Sequence, residues 1–174
     1  MAEDYEVIHG DDIKCFIPKN QTEIVYKSYS DPNWVKTIHE CVDEYQWRIP
    51  IFLKDEKTFD GKTCLKYQYM PDIPEDSDSS KYNRYMNEFI DYCRNTYEEL
   101  EKDNLVEEQH LFMRLHREAF VEFKFEKSQL KYHNLGLNLK TGLVHVRDID
   151  PFYPHTVQIV KSMTELDESL IEFL

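Results

Sequence analysis

A carboxylate and an amide stand at the two ends of a short predicted hairpin, in a pattern that favours a divalent cation. Two apolar runs, residues 135–139 and 143–146, are separated by three residues that end in Gly142, which predicts two antiparallel strands joined by a tight turn. Asn134 precedes the first strand and Asp148 follows the second. Neighbouring strands lie about 5 Å apart, so we expect these two side chains to approach each other. Oxygen ligands of this kind suit Mg²⁺.

This stretch resembles the catalytic core of the protein-kinase-like fold, in which a catalytic loop ending in Asn precedes a hairpin and the Asp of a DFG segment. Residues 129–134, QLKYHN, are similar to the family's D-L-K-P-E-N, and residues 148–150, DID, stand at the position of D-F-G. The resemblance implies Asn134 and Asp148 as metal ligands. The catalytic Asp, however, is replaced by Gln129, and an amide cannot accept a substrate proton as a carboxylate can. The resemblance therefore implies a pseudokinase-like protein.

A strand lysine and a helix carboxylate complete the site that the resemblance implies. The apolar run that ends in Lys27 is similar to the family's V-A-I-K strand, which makes Lys27 the candidate nucleotide-binding lysine. Asp31 and Pro32 predict the start of a helix, with Asp as the N-cap and Pro in the first turn. Glu40 and Glu44 on this helix are candidates for the partner of the lysine, and Glu44 has the separation from Lys27 nearer to the family's.

A strand that ends in Pro resembles the hinge between the two lobes of a kinase. Residues 64–71, CLKYQYMP, end in an aromatic-Met-Pro triplet, so the resemblance assigns the adenine-holding hinge to Tyr69, Met70 and Pro71. The alternative is an edge strand that Pro71 terminates. No Gly occurs between residues 11 and 60. This absence argues against conventional ATP binding, because close backbone approach to phosphate normally requires glycine.

The order of predicted elements follows a small two-lobed protein-kinase-like fold of the α+β class. Residues 1–71 are predicted to form an N-lobe-like antiparallel sheet with one helix, and residues 72–80 a polar hinge or linker. Residues 81–174 are predicted to form a reduced helical C-lobe that contains the 134–148 hairpin. The chain is shorter than a typical kinase domain, so the resemblance implies a heavily trimmed fold.

Individual elements are predicted from hydrophobic periodicity and turn residues. Residues 1–12 are read as a tail or an irregular first strand. A long helix with an apolar stripe follows Ser79 or Ser80, and a second helix begins at Asn104, with Glu107 completing a capping-box pattern. Strands are predicted at residues 13–17, 23–29, 49–53, 64–70, 121–125 and 156–160, and a final helix at residues 165–174.

Charge and composition limit the classes of function. The 174 residues carry a net charge of −13, which disfavours direct binding to nucleic acid or to anionic membranes and favours a protein partner with a basic surface. Four cysteines without a C-x-x-C pattern predict reduced, mostly buried thiols and a cytoplasmic protein. No signal-like segment occurs at the N-terminus, and no apolar run reaches membrane-spanning length.

Three functions fit these observations. The first is a pseudokinase-like regulator that binds a protein partner; one hypothesis is a viral or mobile-element product that engages a host protein in the host cytoplasm. The second is an active atypical kinase that uses ATP and Mg²⁺ and takes its proton acceptor from Asp150 or a substrate phosphate. The third is an acidic interaction protein that mimics nucleic-acid charge, whose binding weakens steeply with salt. His133 and His145 are expected to approach the carboxylates of Asp148 and Asp150, but no zinc-type spacing accompanies them.

Overall fold

A five-stranded antiparallel sheet, three helices and a separate two-stranded hairpin make up the described part of the chain. The computed structural model describes residues 4–9, 13–74, 80–117, 119 and 134–149. The elements are β1 (Tyr5–His9), β2 (Lys14–Pro18), β3 (Ile24–Ser28), α1 (Pro32–Val42), a 3₁₀ turn (Asp43–Tyr45), β4 (Phe52–Phe59), β5 (Lys62–Gln68), α2 (Ser80–Lys102), α3 (Val106–Leu115), β6 (Leu135–Asn138) and β7 (Leu143–Val146). The α+β class is confirmed, while the predicted elements at residues 121–125, 156–160 and 165–174 lie outside the described residues.

The strands of the large sheet lie in the order β1-β2-β3-β5-β4, with every neighbouring pair antiparallel. The N-terminal stretch, which the sequence left as a tail or an irregular strand, contributes β1, paired along its whole length with β2 from Tyr5 opposite Pro18 to His9 opposite Lys14. Helix α1 connects β3 to the far edge of the sheet, and Asp31 caps it as predicted by accepting a hydrogen bond from the Trp34 backbone at 3.2 Å.

The hairpin of β4 and β5 differs from the prediction, which placed a strand at residues 49–53 followed by a charged loop. β4 begins at Phe52 and continues through the charged residues to Phe59. The turn consists of Asp60 (φ 50°) and Gly61 (φ 76°), two consecutive left-handed residues that produce the tight connection typical of Asp-Gly hairpins. Charged side chains are compatible with β4 because it is an edge strand and most of its residues are exposed to water.

The boundary between α2 and α3 also differs from the prediction. Asn104 was expected to cap the second helix, but it adopts a left-handed conformation (φ 57°) that ends the first. Its backbone N–H donates to the Glu101 carbonyl at 3.0 Å, and the Leu105 N–H donates to Leu100 at 2.9 Å. These two hydrogen bonds form a Schellman motif, in which Asn is the usual alternative to Gly. α3 consequently begins at Val106, without a side-chain cap.

The main core lies between one face of the sheet, the three helices and the hairpin. The predicted apolar stripe of α2 is confirmed, since Met86, Phe89, Ile90, Cys93 and Leu100 are all buried. On the other sheet face a small cluster is formed by Phe16, Tyr26 and Cys64, which Phe59 covers. The four cysteines are free thiols, of which Cys64 and Cys93 are buried and the other two are half-buried. No helix in the described ranges is long and apolar enough to span a membrane.

Backbone hydrogen bonds attach the small hairpin to the rest of the molecule. The Leu137 N–H donates to the Pro71 carbonyl at 2.8 Å, and the Val146 N–H donates to the Arg48 carbonyl at 2.9 Å. The Asn138 amide oxygen accepts a hydrogen bond from the Gln68 side chain at 2.8 Å. Leu139, which was predicted to belong to the first strand, lies in the turn and is 69% exposed. The hairpin therefore sits against the end of β5 and the loop that precedes β4.

Candidate functional site

Lys27 lies near the end of β3, a strand hydrogen-bonded on both sides, and is only 7% exposed. Its Nζ lies 2.9 Å from Oδ1 of Asp148 and also donates to the backbone carbonyl of Arg147. The ammonium is 5.1 Å from the ring centroid of Tyr67 on β5, within the range of a cation–π contact. A buried ammonium requires such partners because desolvation of an unpaired charge is costly.

Asp148 and Asn134 flank the hairpin and lie close together, but the Asn134 side chain contacts the backbone of Asp148 and not its carboxylate. The Arg147 N–H donates to the Asn134 carbonyl at 2.7 Å, which continues the ladder beyond Leu135 opposite Val146. The Asn134 side-chain amide then donates to the backbone carbonyl of Asp148 at 3.2 Å. Asn134 thus fixes the backbone from which the Asp148 carboxylate projects toward Lys27.

The expected ion pair between Lys27 and Glu44 is not formed among the described residues, because Lys27 pairs with Asp148 instead. Glu44 lies in the 3₁₀ turn that follows α1 and is exposed, and Glu40 on the helix is exposed as well. Helix α1 ends at Val42, so Glu44 does not belong to the buried face of that helix.

Helix α1 instead presents a histidine to the interior beside Lys27. His39 is 7% exposed, and its Nε2 lies 2.9 Å from the hydroxyl of Tyr67, the residue over whose ring the Lys27 ammonium sits. Burial, with a smaller contribution from the Lys27 charge, lowers the pKa of His39 to about 3. His39 was not predicted as a site residue, although it lies on the same buried helical face as Val35 and Val42.

The predicted hinge residues lie where the large sheet meets the small hairpin. The Tyr69 N–H donates to the Glu23 carbonyl at 2.8 Å, and the Pro71 carbonyl accepts from Leu137 on β6 at 2.8 Å. Met70 is 4% exposed. Residues 69–71 are thus bonded to β6 as well as to the sheet. The alternative of an edge strand is wrong, because β5 lies between β3 and β4. The Met70 carbonyl faces the guanidinium of Arg147, a residue that was not predicted to belong to the site.

The fit of the site to Mg²⁺ depends on its oxygen donors. Asp148 supplies one carboxylate, of which Oδ1 is paired with Lys27, and Asn134 supplies one amide. Among the described residues no group of three or more His, Cys, Asp or Glu side chains could hold a metal ion. Mg²⁺ commonly binds one or two carboxylates together with substrate phosphates and water, so this donor set fits the ion only with phosphate oxygens. Gln129, His133 and Asp150 lie outside the described residues.

A second interaction, also missed from the sequence, joins the hairpin, α2 and the loop before β4. The Arg48 guanidinium forms two 2.6 Å contacts with the Glu88 carboxylate and lies 4.0 Å from the Tyr92 ring centroid. The Tyr92 hydroxyl accepts a hydrogen bond from the Arg48 backbone at 3.1 Å. His145 on β7, predicted to approach the carboxylates, faces the other way, with Nδ1 3.1 Å from the Ile49 carbonyl. Burial lowers the pKa of His145, which favours its neutral form.

A surface pocket of about 580 Å³ lies between α1, the 3₁₀ turn and the start of β4. Its apolar wall includes Trp47, Ile49 and Phe52, and cationic side chains from Lys36 and Lys54 stand at its rim. His39 contributes to this pocket and also reaches Tyr67. None of Lys27, Asn134 and Asp148 lines the pocket, so it is distinct from the predicted nucleotide site.

Comparison with known proteins gives a limited match. No family model and no solved structure matches the chain. A tRNA (guanine-N(7)-)-methyltransferase from Lactobacillus helveticus (strain DPC 4571) is 49% identical over 37 residues. This similarity covers 20% of the chain and 17% of the methyltransferase, and so it defines no family for the whole molecule.

Proposed function

We propose that the chain is a catalytically impaired, kinase-like protein that acts by binding and regulating a protein partner. The observation that carries the proposal is the 2.9 Å contact between Lys27 and Asp148. These are the residues to which the resemblance assigns the nucleotide-binding lysine and the metal-binding aspartate. Asn134, the third residue of that set, holds the backbone of Asp148. If the similarity of these short motifs were accidental, nothing would require Lys27 and Asp148, which are far apart in the sequence, to be in contact.

The arrangement of elements supports a trimmed two-lobed fold. A sheet with one intervening helix comes first, the Tyr69–Pro71 segment follows, and helices and a hairpin come last. In this proposal residues 1–71 form the smaller lobe, residues 72–80 the connection and the remainder the reduced helical lobe. Lys27 then lies on the side of the sheet that faces the hairpin, between the two lobes.

Catalytic impairment follows from the internal pairing and from the missing base. The Lys27 ammonium is buried and neutralised by Asp148, so a nucleotide phosphate would have to displace a carboxylate already in place. Gln129 stands at the position of the base and carries no carboxylate. Asp148 and Asn134 would hold any Mg²⁺ together with phosphate oxygens, where the ion would neutralise phosphate charge. The net charge of −13 favours a partner with a basic surface.

An active atypical kinase is the second candidate, because the proximity of the same residues is also compatible with catalysis. Lys27, Asn134 and Asp148 are brought together, and phosphoryl transfer depends mainly on positioning and electrostatic stabilisation rather than on a strong base. The two candidates differ in whether the assembled residues transfer phosphate.

A phosphate-transfer assay tests the impaired half of the proposal. The full chain is incubated with γ-labelled ATP and Mg²⁺ or Mn²⁺, alone and with a basic substrate protein, beside the isosteric variant Asp148→Asn. We expect the labelling by the natural chain to equal that of the variant. Labelling that requires the Asp148 carboxylate would overturn the proposal in favour of an active kinase.

An affinity-capture experiment tests the partner-binding half. The natural chain and Asp148→Asn are used as baits in lysate from the cells in which the protein occurs, across a range of salt concentrations. We expect the same partner on both baits, because binding requires no catalysis. If the amount of captured partner falls steeply as the salt concentration rises, the acidic mimic is favoured instead. If neither bait captures a protein at any salt concentration, a regulatory binding role is contradicted.

A further inference from the structure

The surface pocket between α1, the 3₁₀ turn and β4, called the α1–β4 pocket below, has the size and the lining of a small-molecule site. Its volume is about 580 Å³, and such sites commonly measure about 300–1,000 Å³, with an apolar wall and a few polar groups. Charged side chains stand at the rim of this pocket. Its apolar lining consists of Val42, Trp47, Ile49, Pro50, Ile51 and Phe52.

Aromatic contacts hold the wall of the α1–β4 pocket in place. The Trp47 ring stacks on the Tyr45 ring with 4.7 Å between centroids, and the Phe112 ring meets it edge-on at 5.2 Å. Phe52 stacks on His39 at 5.0 Å, and His39 is itself held by the contact of its Nε2 with β5. The wall is therefore preformed, and a planar ring can pack against it without reorganising the core.

Two residues of the pocket have a backbone conformation that is unfavourable for any residue with a Cβ atom. Gln46 (φ 52°) and Lys54 (φ 56°) are left-handed, and both line the α1–β4 pocket. Lys54 lies in a bulge of β4, since the register with β5 shifts between Phe52 and Glu56. A bulge redirects the side chains of its strand and commonly occurs beside a functional site. Here it accompanies a lysine that stands at the rim of a pocket.

The charges at the rim limit the kind of anion that a ligand can carry. The Lys36 ammonium is already bound to Glu56, whereas the Lys54 ammonium lies 3.8 Å from the Asp43 carboxylate, beyond hydrogen-bond length. The side chains of Lys54 and Asp43 are 76% and 71% exposed, so their pair is weak and a ligand carboxylate can replace it. Glu40 and Asp43 line the same pocket, which disfavours phosphate and other multiply charged anions.

We propose that the α1–β4 pocket binds a small aromatic monocarboxylate, whose ring packs on the apolar wall and whose carboxylate pairs with Lys54. Burial of the ring supplies most of the affinity, because the ion pair is exposed to water. This binding site goes beyond the proposed regulatory role and does not depend on the kinase resemblance, since none of Lys27, Asn134 and Asp148 lines it. The outcomes of the phosphate-transfer and capture experiments therefore do not decide whether the pocket binds this ligand.

A titration of hydrocinnamate into the full, isotopically labelled chain, followed through the backbone amide signals in NMR spectra, tests the site. We expect saturable shifts that are largest for α1, the 3₁₀ turn and residues 46–54. Hydrocinnamamide has the same shape without the charge and should bind about fivefold more weakly, which is the effect of losing an exposed ion pair. Octanoate has the charge without the ring and should also bind more weakly, because its flexible chain loses more conformational freedom on binding.

A lysine variant tests the anchor of the carboxylate. Lys54→Met keeps the apolar stem at an exposed position, so it should fold, weaken hydrocinnamate binding about fivefold and leave hydrocinnamamide binding unchanged. Lys62→Met, at an exposed lysine of the same hairpin outside the pocket, is the matched control and should bind as the natural chain does.

The opposite results would overturn the proposal. Shifts that do not saturate up to the solubility limit of hydrocinnamate, or that are largest outside the α1–β4 pocket, would show that the pocket is not the binding site. Equal affinity for hydrocinnamate and hydrocinnamamide, or an unchanged affinity in Lys54→Met, would exclude the carboxylate anchor. Equal or tighter binding of octanoate would exclude an aromatic ligand.

Discussion

Lys27 and Asp148 form an ion pair of 2.9 Å although 121 positions separate them in the sequence. The two partners are buried to different extents, since 8% of the Lys27 side chain is exposed and 29% of that of Asp148. This difference means that the loss of one partner should not be equivalent to the loss of the other.

Asp148→Ala should lower the free energy of unfolding by about 3 kcal/mol, because it leaves a buried ammonium with a backbone carbonyl as its remaining hydrogen-bond partner. Lys27→Met should cost only about 1 kcal/mol, since the apolar stem still packs on Tyr67 and the more exposed carboxylate remains hydrated. Urea unfolding of both variants and of the double variant measures these values. Equal losses in the free energy of unfolding in Asp148→Ala and Lys27→Met would show that the different burial of the two partners does not determine the cost of removing each one.

Arg48→Lys should lower the free energy of unfolding by about 1–2 kcal/mol, because lysine provides neither the two-point contact with Glu88 nor the stacking on Tyr92. Thermal or urea unfolding measures the loss. Arg84→Lys, on the exposed surface of α2, is the matched control and should have little effect. A similar change in both variants would indicate that the Arg48 contacts contribute nothing specific.

Stability should fall as the pH is lowered from 7.5 toward 4. Burial lowers the pKa values of His39 and His116 to about 3, whereas histidine in an unfolded chain titrates near 6.5. Between these values the unfolded chain binds protons that the folded chain does not, so each histidine favours unfolding by up to about 1.4 kcal/mol per pH unit. Above pH 6.5 both states are neutral and this contribution vanishes.

His116→Phe should reduce the pH dependence of the free energy of unfolding by the contribution of one buried histidine. His116 packs among Trp47, Phe89, Tyr92 and Phe112, and a phenyl ring suits these neighbours. The Phe112 carbonyl, which lies 3.1 Å from the His116 ring, still accepts the residue-116 backbone N–H at 2.9 Å. Urea unfolding at several pH values gives the slope of the free energy of unfolding against pH. His9→Gln, at an exposed position, is the control. An unchanged slope in His116→Phe would contradict the assignment.

Gly61→Ala should destabilise the protein by about 1 kcal/mol, because a Cβ is unfavourable at a φ of 76°. Nothing lies within 4 Å of the added Cβ, so the cost is conformational rather than steric crowding by neighbours. Asp60→Gly at the adjacent left-handed position should be neutral or stabilising for the same reason. Thermal unfolding measures both effects. A lower unfolding temperature in both Gly61→Ala and Asp60→Gly would contradict this explanation of the turn.

Local signals predicted the local structure well. Asp31 and Pro32 marked the beginning of α1, the apolar stripe marked α2, and Asn134 and Asp148 were placed together because a short hairpin fixes the distance between its ends. Asn104 shows the limit of such signals. The same residue type favours either the start of one helix or the end of another, and only the backbone conformation decides.

Long-range partners could not be predicted in the same way. The kinase resemblance indicated Glu44 as the partner of Lys27 by its separation from that lysine, but the pairing with Asp148 depends on how the hairpin docks against the sheet. Arg147 and Arg48 gave no local pattern, because their partners lie in other segments. Hydrophobic periodicity and turn residues predicted the order of the elements, whereas the pairing of Lys27 with Asp148 and of Arg147 with Asp72 is seen only in the structure.

The distance in sequence between β3 and the hairpin has a consequence for biosynthesis. During translation the five strands and α1 leave the ribosome well before residues 134–149 exist, so the sheet can pair while Lys27 still lacks its carboxylate. The growing chain must keep this ammonium in contact with water, which leaves that face of the sheet open until the hairpin docks. Because this docking joins segments far apart in the sequence, we expect it to follow synthesis of the hairpin and to be slower than the pairing of neighbouring strands.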